Sequence, residues 1–349
     1  MGIRSPRRST LALATAATMV STGTAYLGAR HLLTGQADQA RRTIPRAADI
    51  PPRADGVYSP DGGPVQPWNR DVPFDLHLMV FGDSTATGYG CREADEVPGV
   101  LLARALASAS GKRVRLSTKA IVGATSKGLQ GQIDAMFVAD QPPDAAVIMI
   151  GANDVTRLNG IRPSAQRLGA GVRRLREAGA VVVVGTCPDF GVVTAIPQPL
   201  RSVARSKGLR LARAQAAAVR AAGGVPVPLA DLVTPNFMQE PERFFSDDMY
   251  HPSAAGYALA ANQLLPALRR ELGIDDPDEP LPWERKDNRP LLARVGHLSR
   301  LWRRSTGVPA PVLARVPAPV LEKVSAPVLG GLRALGPRRA DARAAGAAG

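Results

Sequence analysis

Ser84 stands in the run Phe81-Gly82-Asp83-Ser84-Thr85-Ala86-Thr87-Gly88. A serine hydroxyl is a poor nucleophile until a base takes its proton. Of the four histidines, only His251 has an acid three residues before it, Asp248, and a helix-forming segment after it. An imidazole needs a carboxylate that fixes its tautomer and stabilises the imidazolium, and Asp248 can do this through the turn Asp248-Met249-Tyr250-His251. The chemistry these side chains support is acyl transfer, in which a developing oxyanion needs donors already aimed at it. The backbone N–H groups of Ser84 and Gly123 and the side-chain amide of Asn153 would supply three. Gly123 suits a close approach of backbone to substrate because it has no Cβ. Asn153 suits a side-chain donor because its amide is neutral at every relevant pH.

Each residue also has a plainer reading. Gly-Asp-Ser suits an ordinary β-turn. His77 sits mid-strand and reads as a hydrogen-bonded core histidine, while His31 and His297 fall in the arms of the chain. Asp247 has the wrong spacing to serve His251 and reads as a solvated turn residue. Asp83 and Asp154 read as residues that orient loops. The acids are scattered and no histidine pair has ligand spacing, so neither metal nor cofactor is expected. The nucleophile elbow Gly-x-Ser-x-Gly is absent, since Ala86 takes the place of its second glycine.

The elements that must position these residues alternate. Apolar runs predict strands at 76–81, 113–119, 145–150, 180–185 and 224–229. Helical spacing predicts helices near 97–110, 126–139, 164–178, 201–222 and 253–272. The runs at 145–150 and 180–185 are continuously apolar, as strands covered on both faces should be. Repeated strand–helix units of this kind give an α/β fold: a doubly wound, flavodoxin-like parallel sheet of about five strands with helices on both faces. In an open sheet of that kind the carboxyl ends of the strands line one crevice. Ser84, Gly123 and Asn153 follow the first three strands, and His251 precedes the last helix, so residues distant in sequence can meet there.

This ordered set resembles the SGNH hydrolases, the GDSL-type esterases and lipases, over roughly 75–272. The family's nucleophile motif Gly-Asp-Ser-x-x-x-Gly falls on Gly82, Asp83, Ser84 and Gly88, and its oxyanion glycine on Gly123. Its Gly-x-Asn-Asp block falls on Gly151, Asn153 and Asp154, and its Asp-x-x-His block on Asp248 and His251. The resemblance implies a serine esterase working through an acyl-enzyme on a small ester or lipid, with short to medium acyl chains as the default. An O-acetyl esterase of envelope carbohydrate and a non-catalytic envelope-binding protein are the alternatives. The loop 187–200 is a candidate for shaping the acyl pocket.

Composition bounds the rest. The chain carries a net charge of +14, but unevenly. Residues 1–53 hold eight arginines against two acids, and residues 283–349 hold thirteen basic residues against four acids. The remaining 54–282 has 23 bases and 24 acids, so the basic character belongs to the arms. That argues against nucleic-acid binding by the core and for an anionic membrane or envelope surface as partner of the arms. Residues 1–29 read as an export signal or a single N-terminal anchor, with an uncharged stretch from 9 to 29 behind Arg4, Arg7 and Arg8. An exported protein of the cell envelope or outside it is the corresponding expectation. Proline-rich 30–72 reads as a linker and 73–282 as the hydrolase domain. Residues 283–349, with Ala-Pro-Val-Leu at 310–313, 318–321 and 326–329, read as a basic, irregular tail. Cys91 and Cys187 both follow predicted strand ends; export would permit a bridge, and two buried thiols are the alternative.

Overall fold

The computed structural model describes residues 27–40, 50–139 and 141–285. Most of the expected export or anchor segment, residues 1–26, and the basic tail from 286 onward lie outside the described residues. Among those described, no helix is long and apolar enough to cross a membrane.

Six strands form one sheet: β1 (Gly56–Tyr58), β2 (Leu76–Gly82), β3 (Val114–Thr118), β4 (Ala145–Met149), β5 (Val181–Gly185) and β6 (Val225–Val227). Their order is β1-β3-β2-β4-β5-β6. The last five are the five strands expected, and their pairings are all parallel. β1 is an addition: it pairs antiparallel with β3, Val57 opposite Arg115, and closes that edge. It is too short for a periodic signal, which explains why 30–72 reads as linker. That stretch is not a free linker. It supplies β1 and, from its start, most of a helix α1 (27–40).

Seven-residue β2 is buried throughout because it lies centrally and is covered on both faces. Successive side chains alternate between the faces. Leu78 and Val80 face α3 (Pro98–Ser110) and the final helix, joined by Val147, Val183 and Val227 with Leu102, Leu106, Leu264 and Leu268. Met79 and Phe81 face the other side with Ile148, Val184, Leu129, Ile133, Leu168 and Val172. Those last four come from α4 (Ser126–Ala139) and α6 (Ile161–Glu177), beside α7 (Leu200–Ala221). Helices thus cover both faces, as the doubly wound reading requires. Each fully buried leucine, valine or isoleucine contributes roughly 1.5–3 kcal/mol.

Short helices sit at the carboxyl edge of the sheet: α2 (Ser84–Thr87) after β2, α5 (Ala152–Thr156) after β4, and α8 (Leu229–Leu232), α9 (Thr234–Gln239) and α10 (Pro241–Phe244) after β6. The final helix is α11 (Ala254–Glu271). A separate apolar cluster gathers there: Phe190, Val193, Ile196, Leu200, Phe237, Phe244 and Phe245, with Leu33 and Ala37 of α1. α1 is pinned at the same place by Gln36, whose Oε1 accepts from Leu200 N at 2.9 Å and whose Nε2 donates to Gln198 O.

Candidate active site

The end of β2 is built to present Ser84. Gly82 has φ +138°, and a Cβ there would lie 1.9 Å from Met149 O, so no other residue fits between β2 and β4. Gln132 of α4, 2% exposed, clamps the same residue: Gly82 N donates to its Oε1 at 2.9 Å, and its Nε2 donates to Gly82 O at 2.7 Å. Asp83 then caps α2, its Oδ1 accepting from Thr85 N at 3.0 Å and Thr85 Oγ1 at 2.6 Å. Its Oδ2 is buried without a partner, and burial raises its carboxyl above the usual range. Ser84 is the first residue of the helix that follows.

His251 comes from the loop between α10 and α11. Phe245 and Pro252 pair as an isolated bridge, Ser246 N donates to His251 O at 2.8 Å, and Met249 takes a left-handed φ of +51° to turn the chain. Asp248 organises the turn: its Oδ1 accepts from Tyr250 N and His251 N, both at 2.8 Å, and from Ser246 Oγ at 2.9 Å. Its Oδ2 meets His251 Nδ1 at 2.6 Å, and His251 Nε2 meets Ser84 Oγ at 3.1 Å. Burial alone would raise the Asp248 carboxyl; its hydrogen bonds and charge interaction with His251, and the Tyr250 N–H, outweigh this and hold it at about 2. The rings of Tyr89 and Tyr250 flank His251 with centroids 4.5 and 5.0 Å away. Serine, histidine and aspartate therefore touch in series, as the sequence reading expects.

Gly123 follows β3 with φ +79°, a conformation that favours glycine. Asn153 lies in the first turn of α5, and its side-chain amide has no hydrogen-bond partner among the described residues. Its neighbour Asp154 is a loop organiser, as expected: Oδ2 accepts from Ser126 N, and Oδ1 accepts from Ser126 Oγ, Asn159 Nδ2 and Ser164 Oγ, each at 2.8 Å. His77 is the core histidine expected, with Nε2 2.9 Å from Ser117 Oγ. Asp247 is solvated and meets only the exposed Arg92 among the described ion pairs. Cys91 and Cys187 are free thiols, so the bridge that export would permit is not formed. Cys91 sits against the α3–α11 core and Cys187 in the phenylalanine-rich cluster.

From Ser84 and His251 a cavity of about 110 Å3, partly open to solvent, runs beside α11 and α9. Pro188, Phe190, Val192 and Val193 line it, so the loop 187–200 does shape it. Leu229, Val233, Phe237 and Phe245 form the far wall, which sequence reasoning missed. Those residues lie in a stretch of short helices with no long period to reveal them.

A hydroxyl, imidazole and carboxylate in contact, opening on an apolar cavity at the carboxyl edge of an α/β sheet, define a serine hydrolase of esters. The chain belongs to the GDSL-like Lipase/Acylhydrolase family, whose sequence profile matches residues 80–259. It is an ester hydrolase, 72% identical over 267 residues to the GDSL-like esterase Rv1075c of Mycobacterium tuberculosis (strain ATCC 25618 / H37Rv), a match covering 76% of this chain and 85% of that protein. Among solved structures it is similar to TesA, at 22% identity and a TM-score of 0.46 over 56% of this chain and 99% of the other. It is also similar to the psychrotrophic esterase EstA from Pseudoalteromonas sp., at 18% identity and a TM-score of 0.46 over 57% of this chain and 100% of the other.

Proposed function

We propose that the protein cleaves carboxylic esters of medium-length fatty acids through an acyl-enzyme on Ser84. The observation that carries this is the unbroken contact from Asp248 through His251 to Ser84 beside a cavity whose exposed surface is mostly apolar. His251 Nε2 takes the Ser84 proton as Oγ attacks the ester carbonyl, then returns it to the leaving alcohol. Asp248 holds the Nδ1–H and the positive charge that forms on the ring. The N–H groups of Ser84 and Gly123 and the Asn153 amide receive the oxyanion. Water, activated by the same imidazole, then releases the acid. An acetyl group would leave the cavity empty, which favours a longer acyl chain over an O-acetyl substrate.

The uncharged stretch ending at Ala29 runs directly into α1, and α1 packs on the wall of the acyl cavity. That continuity supports a protein exported or anchored by residues 9–29, with its cavity close to a lipid surface. A series of p-nitrophenyl esters from acetate to palmitate tests the substrate: kcat/KM should peak between butyrate and decanoate. A maximum at acetate would overturn the medium-chain reading.

A further inference from the structure

We propose that Arg157 forms an anion-binding subsite for the alcohol half of the ester, so that the enzyme takes esters whose leaving alcohol carries a phosphate or a carboxylate. This rests on the reading of Ser84 as nucleophile. Along the carboxyl edge the strand ends come in the order β3, β2, β4, β5, β6. The apolar cavity is lined by residues that follow β4, β5 and β6 and by α11. Gly123, which follows β3, does not line it. An acyl chain in the cavity therefore leaves the alcohol half to the β3 side of Ser84.

Arg157 stands on that side by an indirect route. It caps α5 one turn after Asn153, its N–H donating to Asn153 O at 3.0 Å, so its backbone belongs to the β4 end. Its Nη2 nevertheless lies 3.4 Å from where a Cβ on Gly123 would stand. The loop after β3 crosses the β2 end, Ile121 N donating to Gly82 O at 3.1 Å and Ser126 N to Asp154 Oδ2 at 2.8 Å, so Arg157 and Gly123 meet beside the strand end that carries Ser84. Arg157 is half-buried, and among the described residues its guanidinium has neither an ion pair nor a hydrogen bond. The adjacent acid, Asp154, accepts four hydrogen bonds, none of them from Arg157. A guanidinium without an anion offers a planar fork that matches a phosphate or carboxylate two bonds at a time. Ile121, 58% exposed and two residues before Gly123, offers apolar contact to the carbon skeleton that would carry such a group.

The test uses the full chain and matched ester pairs. For a carboxylate the pair is 4-butanoyloxy-3-nitrobenzoate and its methyl ester; for a phosphate it is 1-butanoylglycerol 3-phosphate and 1-butanoylglycerol. Values of kcat/KM are compared among the unaltered protein, Arg157→Gln and Arg157→Lys. We expect Arg157→Gln to cost at least one anionic ester about tenfold more than its neutral partner, with lysine restoring part of the difference. The extra loss should shrink as salt is added. The pair that shows it identifies the anion. Losses equal to within twofold in both pairs would overturn the subsite and make Arg157 an oxyanion donor or a structural residue. Failure of the Ser84 reading would show separately, as turnover of the neutral esters surviving in Ser84→Ala.

Discussion

Replacing Asp248 by asparagine isolates what the carboxylate does for His251. Asp248 accepts four hydrogen bonds, three at Oδ1 from Ser246, Tyr250 and His251 N–H, and one at Oδ2 from His251 Nδ1. In Asp248→Asn the amide oxygen can keep the three at Oδ1, so the turn 246–251 should hold and the protein should stay folded at neutral pH. The amide nitrogen then faces Nδ1 at the 2.6 Å contact and is itself a donor. The imidazole must offer Nδ1 as acceptor and carry its proton on Nε2, which points that proton at Ser84 Oγ across 3.1 Å. A base holding a proton toward the nucleophile cannot remove another, and such a tautomer reversal costs a factor of about 10^3–10^4 in kcat. Losing only the carboxylate's charge, with the tautomer kept, would cost far less. The assay is p-nitrophenyl butyrate turnover, with circular dichroism to establish the fold. A folded Asp248→Asn enzyme within tenfold of the unaltered kcat would refute the assigned role of Asp248.

Other expectations follow from the same contacts. Asp248 is held at about 2, below the ordinary carboxylate value, so its contribution to stability is complete above about pH 4 and lost as pH falls through 2. The rise in stability from pH 2 to 4 should therefore be shallower in Asp248→Asn, as read by urea midpoints. Gln132→Leu leaves Gly82 N unpaired inside the protein, while Gly82 O keeps its bond from Ile121 N, and should cost about 1–3 kcal/mol in denaturant unfolding. Val233→Phe narrows the acyl cavity and should move the best p-nitrophenyl ester to a shorter chain; an unchanged preference would place the acyl group elsewhere. Leu33→Ala removes a buried contact of α1 and should speed amide exchange across 27–40 more than across β2 or β4.

The strands and long helices are legible because their signals are local. β4 and β5 are continuous apolar runs, and α3, α4, α6, α7 and α11 begin within three residues of where helical spacing puts them. The contact of Ser84 with His251 is legible for another reason: strand ends in an open α/β sheet share one edge, so topology brings together what sequence separates. Other features depend on tertiary contacts that leave little periodic trace. β1 has three residues and is stabilised by pairing with β3. Gln132 and Gln215 look like ordinary helix-surface residues, yet Gln215 is 2% exposed, donating to Ile150 O and accepting from Cys187 N, both at 2.8 Å. In α1, Leu33 and Ala37 have helical spacing, but the prolines from Pro45 onward dominate the composition of that region.

The central claim is that Ser84 is the atom acylated, and intact-mass spectrometry after treatment with a fluorophosphonate measures it directly. The account predicts one adduct per chain, mapped to the peptide containing Ser84, absent in Ser84→Ala and formed far more slowly in His251→Ala. An adduct on another serine, or a folded Ser84→Ala protein that still turns over p-nitrophenyl butyrate at the original rate, would contradict it.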